Sequence, residues 1–429
     1  MKGIKLHKSL CIVLATTILL GLTGCAGAGD GNNFYESGVS RNLMEGVTTG
    51  NVEGKEIDEA FVNAQLELDL KLFQQSVAET PNQNTLISPL SIQLALAMTA
   101  NGADGNTKKE LEQLLADSFG MEDLNKYLYT YVKDLPTAND YKVNVANSIW
   151  FKDDENAFQV EQDFLQTNAD YYGAKISASP FDNNTVTDMN NWVEENTDGM
   201  IKEIIDEIPS SAVMYLINAI AFDAKWEKAY TTKSISDREF YTFDGTAQSV
   251  QMMSSEESLY LEDDKAKGFI KPYKNNKYSF VALLPKESGE EAFYDYIESL
   301  TPENVRDILQ NVEKVEVETS LPKFSSEYSL SMQNVLESLG VKEAFNGAKA
   351  DFSMLGKAED NIYISQVIHK TFIEVDENGT KAAAVTSVEV STECEHPSVY
   401  LNRPFVYMII DNETNLPIFI GTLIKIEQE

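Results

Sequence analysis

ENGTKAAAVTSVEVSTECEHPSVYLNRPF, residues Glu377–Phe405, is the stretch from which the rest of the chain is read. A small-residue run, Gly379-Thr380-Lys381-Ala382-Ala383-Ala384, leads into a segment with no evident core role, and a strand pattern, Phe405 to Ile410, follows. Strand side chains alternate between faces. If Thr380 is the first residue to enter a sheet, one face carries Thr380, Ala382, Ala384, Thr386, Val388 and Val390. The other carries Lys381, Ala383, Val385, Ser387, Glu389 and Ser391. The first face is small or apolar throughout, and both charges lie on the second. A slip by one residue would bury those charges, so the pattern specifies a register. No proline between 380 and 396 removes a ladder donor. The segment reads as chain that is soluble as a loop and acceptable as a central strand.

Outward from this stretch, length and composition set bounds. A chain of 429 residues with 43% hydrophobic content can bury a sizeable core, and one large mixed domain is compatible with that length. The net charge of -34 repels nucleic acid and anionic lipid. The N-terminus reads as a targeting segment. Lys2, Lys5 and Lys8 precede an apolar run, Cys11 to Leu20, that is short for a membrane span. Leu22-Thr23-Gly24-Cys25 then resembles a bacterial lipobox, which implies a signal peptide over 1–24 and lipid on Cys25. Residues 25–57, rich in Gly, Asn, Ser and Thr, read as a flexible tether, with the folded domain over 58–429. With Cys11 removed and Cys25 lipidated, Cys394 is the one remaining thiol, so no disulfide framework is expected.

Phe61 to Val77 places Leu66, Leu70, Phe73 and Val77 at helical spacing. Ser88-Pro89 reads as a helix entry, followed by an apolar helix over Ile92 to Ala100 and a stop at Asn101-Gly102. Strand patterns crowd the later chain: Val143 to Ile149, Met214 to Phe222, Tyr278 to Leu284, Val315 to Thr319, Thr371 to Val375, Phe405 to Ile410 and Pro417 to Ile424. Helices early and strands late indicate an α+β protein with several sheets.

Motifs spread over 58–427 resemble those of the serpin family. They are Asn84 to Ser91; Asn190-Asn191-Trp192-Val193 with Thr197 and Gly199; Ile217 to Phe222 with Lys225-Trp226; Leu321-Pro322-Lys323-Phe324; Ala350 to Ser353; His369-Lys370; Asn402 to Phe405; and Ile420-Gly421. The resemblance implies the serpin fold: a five-stranded main sheet, two smaller sheets, eight or nine helices and an exposed reactive-centre loop, about 377–401. It implies a suicide-substrate inhibitor of serine proteases. The protease attacks the loop, and the cleaved loop enters the main sheet while the enzyme is still an acyl-enzyme. The hinge maps to Glu377, Gly379, Thr380, Ala382, Ala383 and Ala384. Counts from Gly379 forward and from Pro404 backward both put the scissile bond between Glu393 and Cys394, with Thr392 and Val390 as alternative cleavage residues. Ser88, Ser91, Asn190 and His369 fall where the family places a polar cluster beneath the sheet, and Trp226 matches the aromatic at the entry point for the loop.

No cofactor or zinc spacing is expected. Glu393 and Glu395 flank Cys394 and oppose a thiolate, which disfavours a Cys394–His396 hydrolase. Asn106 to Leu128 holds only Lys108, Lys109 and Lys126 as cations, so heparin binding is not expected. The expected partner is a Glu-specific, elastase-like or subtilisin-like serine protease: Glu393 suits a Glu-specific enzyme, whereas an elastase-like enzyme would instead cut after Thr392, Val390 or Cys394. Lys381 stands where the family usually has an acid, and Asp223-Ala224 where Lys-Gly is common. The expected setting is a monomer anchored on a bacterial envelope and facing outward. The alternative is a non-inhibitory serpin, a binding protein or one that proteases simply cleave.

Overall fold

Strands that can be buried on both faces occupy the middle of the main sheet. The computed structural model describes residues 40–116, 119–133, 135, 140–153, 158–380 and 396–427. Its main sheet contains β1 (Arg41–Asn42), β2 (Tyr141–Lys152), β3 (Lys175–Ser179), β4 (Met214–Lys225), β5 (Phe324–Ser331), β6 (Gln366–Val375) and β7 (Gly379–Thr380). Their order is β1-β3-β2-β4-β7-β6-β5. β4 is a near-continuous apolar run, buried along almost all its length, as a strand covered on both faces must be. Five longer strands match the five-stranded main sheet that the resemblance implied, although Lys175–Ser179 and Phe324–Ser331 were not among the strand patterns read from the sequence; β1 and β7 are two-residue additions.

A six-stranded sheet orders Leu86–Ile87, Pro417–Leu423, Phe405–Asp411, Tyr278–Pro285, Ala266–Pro272 and Tyr260–Glu262. A four-stranded sheet orders Ser398–Tyr400, Val317–Pro322, Ala247–Glu257 and Ile235–Tyr241. These are the two smaller sheets; a two-stranded ladder joins Gly356–Lys357 to Gln159–Val160. Nine α-helices are present among the described residues. The strand expected at Val315–Thr319 lies at Val317–Pro322 instead. The expected Thr371–Val375 is the upper half of the longer β6.

The helix Glu59–Glu79 starts where Asp58 Oδ1 accepts from the Phe61 N–H at 2.9 Å, and it buries Phe61, Leu66, Leu70, Phe73 and Val77. The helix Pro89–Ala100 has proline in its first turn and is buried on every side. It packs against β2 and β4, beneath the main sheet. Ser88 stands at its N-cap position, but the side chain makes no cap bond.

Residues 40–57 correct the expected tether. Arg41 and Asn42 pair antiparallel with Ala178 and Ser177, adding β1 to the sheet edge. Arg41 forms an ion pair with buried Asp153. Further along, Leu43 N–H donates to Ile176 O at 2.9 Å and Lys55 N–H to Lys126 O at 3.2 Å. Leu43, Met44, Val47 and Ile57 pack on the core. Polar composition concealed this, because an edge pairing uses backbone groups and asks little of side chains. Residues 1–39, on which the expected signal peptide and Cys25 fall, lie outside the described residues.

Candidate functional site

The seam between β4 and β6 has two different halves. From Tyr215–Gln366 to Ala221–Phe372 the strands pair directly and in parallel. Above that, β7 lies between them, antiparallel to both: Gly379 opposite Lys225, and Thr380 opposite Ala224 on one side and Val375 on the other. Gly379 is required here by contact. A Cβ at this position would stand 2.0 Å from Ala224 O and 2.8 Å from Lys225 Cα. Thr380 is fully buried, and its Oγ1 lies 2.7 Å from Tyr273 Oη.

The turn before β7 is held from within and from outside. Asp376 Oδ1 accepts from Asn378 N–H at 2.7 Å and Gly379 N–H at 3.1 Å. Trp226 donates its indole N–H to Asp376 O and its backbone N–H to Asn378 O, each at 2.9 Å. Tyr230 N–H donates to Glu377 O at 2.8 Å. The Glu377 carboxylate meets Lys323 Nζ at 2.5 Å, which holds its pKa below the usual range. The Trp226 ring stacks on Tyr273, centroids 4.4 Å apart and planes 11° apart. Lys271 Nζ lies 5.4 Å from the Trp226 centroid and 4.3 Å from that of Tyr230.

The lower half of the seam has a polar centre. His369 of β6 and Asn218 of β4 are register partners, and both are fully buried. Ser88 N–H donates to His369 Nε2 at 3.1 Å, so Nε2 is the acceptor and Nδ1 carries the proton. That Nδ1–H donates to Asn218 Oδ1. The Asn218 amide donates in turn to Ser91 and, at 2.5 Å, to Asn147 Oδ1. Burial pushes the His369 pKa down to about 3, so the ring is neutral at physiological pH. The Ser88 hydroxyl has no hydrogen-bond partner among the described residues.

The structure therefore brings Ser88 to His369 directly, by its backbone N–H, and Ser91 to His369 through Asn218. Asn190 is placed differently: on the helix Asn183–Asn196, its side chain binds the backbone of Ile204 and Ile205. Sequence reading missed Asn218 and Asn147. A signal for Asn218 was present, since it is the polar interruption in Met214–Phe222. Glu377, Gly379, Thr380 and Trp226 converge at the top of the seam. Ala382, Ala383, Ala384, Val390, Thr392, Glu393 and Cys394 lie outside the described residues. After them, Glu318 N–H donates to Pro397 O at 3.0 Å, and Ser398–Tyr400 pairs in parallel with Glu318–Ser320. The described residues contain no cluster of potential metal ligands and no helix long and apolar enough to cross a membrane.

A family model described as Serpin (serine protease inhibitor) matches residues 63–426. Serpin B10 of Otolemur garnettii is 31% identical, over 82% of this chain and 96% of its own length. An uncharacterized serpin-like protein of Thermococcus kodakarensis is 29% identical, over 96% of this chain and 98% of its own. Among solved structures, that of the thermophilic serpin tengpin in its native state is 50% identical, with a TM-score of 0.86. That match covers 90% of this chain and 100% of tengpin.

Proposed function

The chain belongs to the serpin family, a family of serine protease inhibitors, and we propose on that premise that it traps a serine protease as a covalent acyl-enzyme by inserting its cleaved loop into the β4–β6 seam. The observation that carries this reading is Thr380, already a buried strand residue between β4 and β6. Its side chain faces inward. Continued as a strand, the loop therefore turns Ala382, Ala384, Thr386, Val388 and Val390 inward and Lys381 and Glu389 outward. The β7 register, extended, sets 380–390 against 224–214 of β4 and brings Thr386 between Asn218 and His369. One parallel ladder is then replaced by two antiparallel ones, which pair slightly better per residue.

In chemical terms, the protease serine attacks the Glu393 carbonyl, the Glu393–Cys394 bond breaks, and the new amine leaves with the Cys394 side. Hydrolysis of the ester needs an ordered oxyanion hole and base. A displacement of about 1 Å costs on the order of 10²-fold, so a dragged and distorted protease stays acylated. The target class is a Glu-specific, elastase-like or subtilisin-like enzyme, with Thr392 or Val390 as alternative cleavage residues. Lipid on Cys25 holds the monomer on the outer side of a bacterial envelope; loss of membrane fractionation in Cys25→Ala checks that part.

Mixing the domain with Glu-specific, elastase-like, subtilisin-like, trypsin-like and chymotrypsin-like proteases tests the reading on a denaturing gel. A denaturant-stable band with cleavage between Val390 and Glu395 is expected. Cleavage there by every enzyme without such a band would overturn inhibition in favour of a cleavable, non-inhibitory protein.

A further inference from the structure

A buried ion pair lies beside the point where the loop enters, and the insertion scheme makes no use of it. Lys271 and Glu257 have side chains 2% and 7% exposed and approach to 2.6 Å. Ser255 Oγ donates to the same Glu257 oxygen at 2.6 Å. An ammonium has three N–H donors. The carboxylate takes one, and the faces of Tyr230 and Trp226 surround the rest in a cation–π cage. Such a pair is weak evidence for a stability role, because apolar residues of similar volume often serve as well.

Both caging residues hold the hinge. Trp226 binds the Asp376 and Asn378 carbonyls, and Tyr230 binds that of Glu377. Tyr273 lies two residues beyond Lys271 on the strand Ala266–Pro272 and its exit. It stacks on Trp226 and reaches Thr380 Oγ1. One cation thus fixes the rings whose backbones and indole clasp residues 376–378. We propose that Lys271, held by Glu257, is a positioning residue that sets this aromatic clasp and so governs how fast the cleaved loop enters the seam. The consequence for entry rests on the insertion reading; the clasp itself does not.

The test variant is the double substitution Lys271→Met with Glu257→Gln in the full chain. It leaves no uncompensated buried charge and keeps an acceptor for Ser255. Amide hydrogen exchange at Trp226 and Tyr230 reports the clasp directly, since both N–H groups donate to hinge carbonyls. The expected result is about tenfold faster exchange at these two amides, with the helix Glu59–Glu79 unchanged. The ratio of cleaved to covalently trapped protein should rise several-fold at an unchanged unfolding midpoint. Unchanged exchange at both amides overturns the proposal. Faster exchange with an unchanged ratio, where the parent does trap protease, overturns the role in entry. Faster exchange where the parent traps nothing upholds the clasp and removes the inhibitory reading instead. If the double variant does not fold, Tyr230→Leu, which removes one ring of the cage, carries the same test with a smaller shift.

Discussion

The two halves of the β4–β6 seam are built on opposite principles. At the top, a foreign strand has already entered: the backbone of Gly379 lies flat on Ala224, and Thr380 pairs on both sides. In the middle, β4 and β6 meet directly, and a chain of hydrogen bonds from the Ser88 backbone N–H through the His369 and Asn218 side chains to Asn147 crosses the junction. The top is specified by steric closeness, the middle by donors and acceptors. A seam closed by apolar packing alone would leave no record of its register. If the cleaved loop enters as proposed, the His–Asn bond breaks together with the parallel ladder around it, and Thr386, which offers a hydroxyl, is the residue the extended register delivers to that place.

The largest effect follows from that arrival. Thr386→Arg places a cation against buried Asn218 and neutral His369, where a charge without a partner is costly. Formation of the covalent complex should fall by at least ~100-fold, with cleavage intact. Ser387→Arg, one residue away on the outward face, should leave complex formation near that of the parent. Equal damage from both variants would break the comparison, because only one of them meets the polar centre.

At the top of the seam, Gly379→Val drives a side chain into the Ala224 carbonyl. The neighbour is backbone and cannot swing aside, so a loss near the upper end of overpacking costs, about 3 kcal/mol, is expected in urea unfolding. The Trp226 bonds to the turn should loosen with it, visible as a change in indole fluorescence. A stable variant with unaltered fluorescence would mean the hinge does not depend on close approach.

The middle of the seam should answer to mild acid, in a range where the lowered Glu377 carboxylate at the top stays ionised. His369 has a folded-state pKa of about 3 against an ordinary value of 6.5. Below pH 6.5 the unfolded chain takes up a proton that the folded chain refuses, so stability falls as pH falls and is flat above. The slope from this group is about 1.4 kcal/mol per pH unit, or about 2 kcal/mol by pH 5. Protonation would set an Nε2–H against the Ser88 N–H, donor against donor. Urea midpoints from pH 8 to 5, compared between the parent and His369→Phe, isolate the slope. Parallel curves would remove His369 from the account.

Individual elements were legible because they rest on periodicity, while their arrangement into a main sheet and two smaller ones came from the serpin resemblance. The alternation at 380–390 foretold an inward face, and Thr380 does face inward. Tyr141–Lys152 and Met214–Lys225 announced themselves by alternation and apolar run, whereas the polar Lys175–Ser179 and Phe324–Ser331 did not. The polar centre was legible only in part. Ser88, Ser91 and His369 came from a family pattern, and the residue joining Ser91 to His369, Asn218, was passed over for Asn190, whose amide serves a local turn. Nothing in linear sequence says which asparagine points across a seam. The Lys271–Glu257 pair was illegible for a related reason: fourteen positions separate the partners, and isolated charges in sheet-rich sequence normally read as solvent-facing.

The edge of the main sheet supplies the contrast that tests whether the seam is special. Arg41 ties β1 to Asp153, a side chain only 2% exposed, at the margin farthest in strand order from β5. Arg41→Ala leaves that carboxylate with the Phe158 N–H at 3.2 Å but without its cation. A charge-assisted bond of this kind contributes about 1.5 kcal/mol, so the unfolding midpoint should drop by that equivalent. The ratio of cleaved to trapped protein should not move, since two strands, β3 and β2, separate this edge from β4. A change in that ratio would show the sheet opening as one body, with edge and seam coupled. An unchanged ratio beside a lowered midpoint would show that stability and insertion are set by different residues, and that the residues setting insertion lie along the seam.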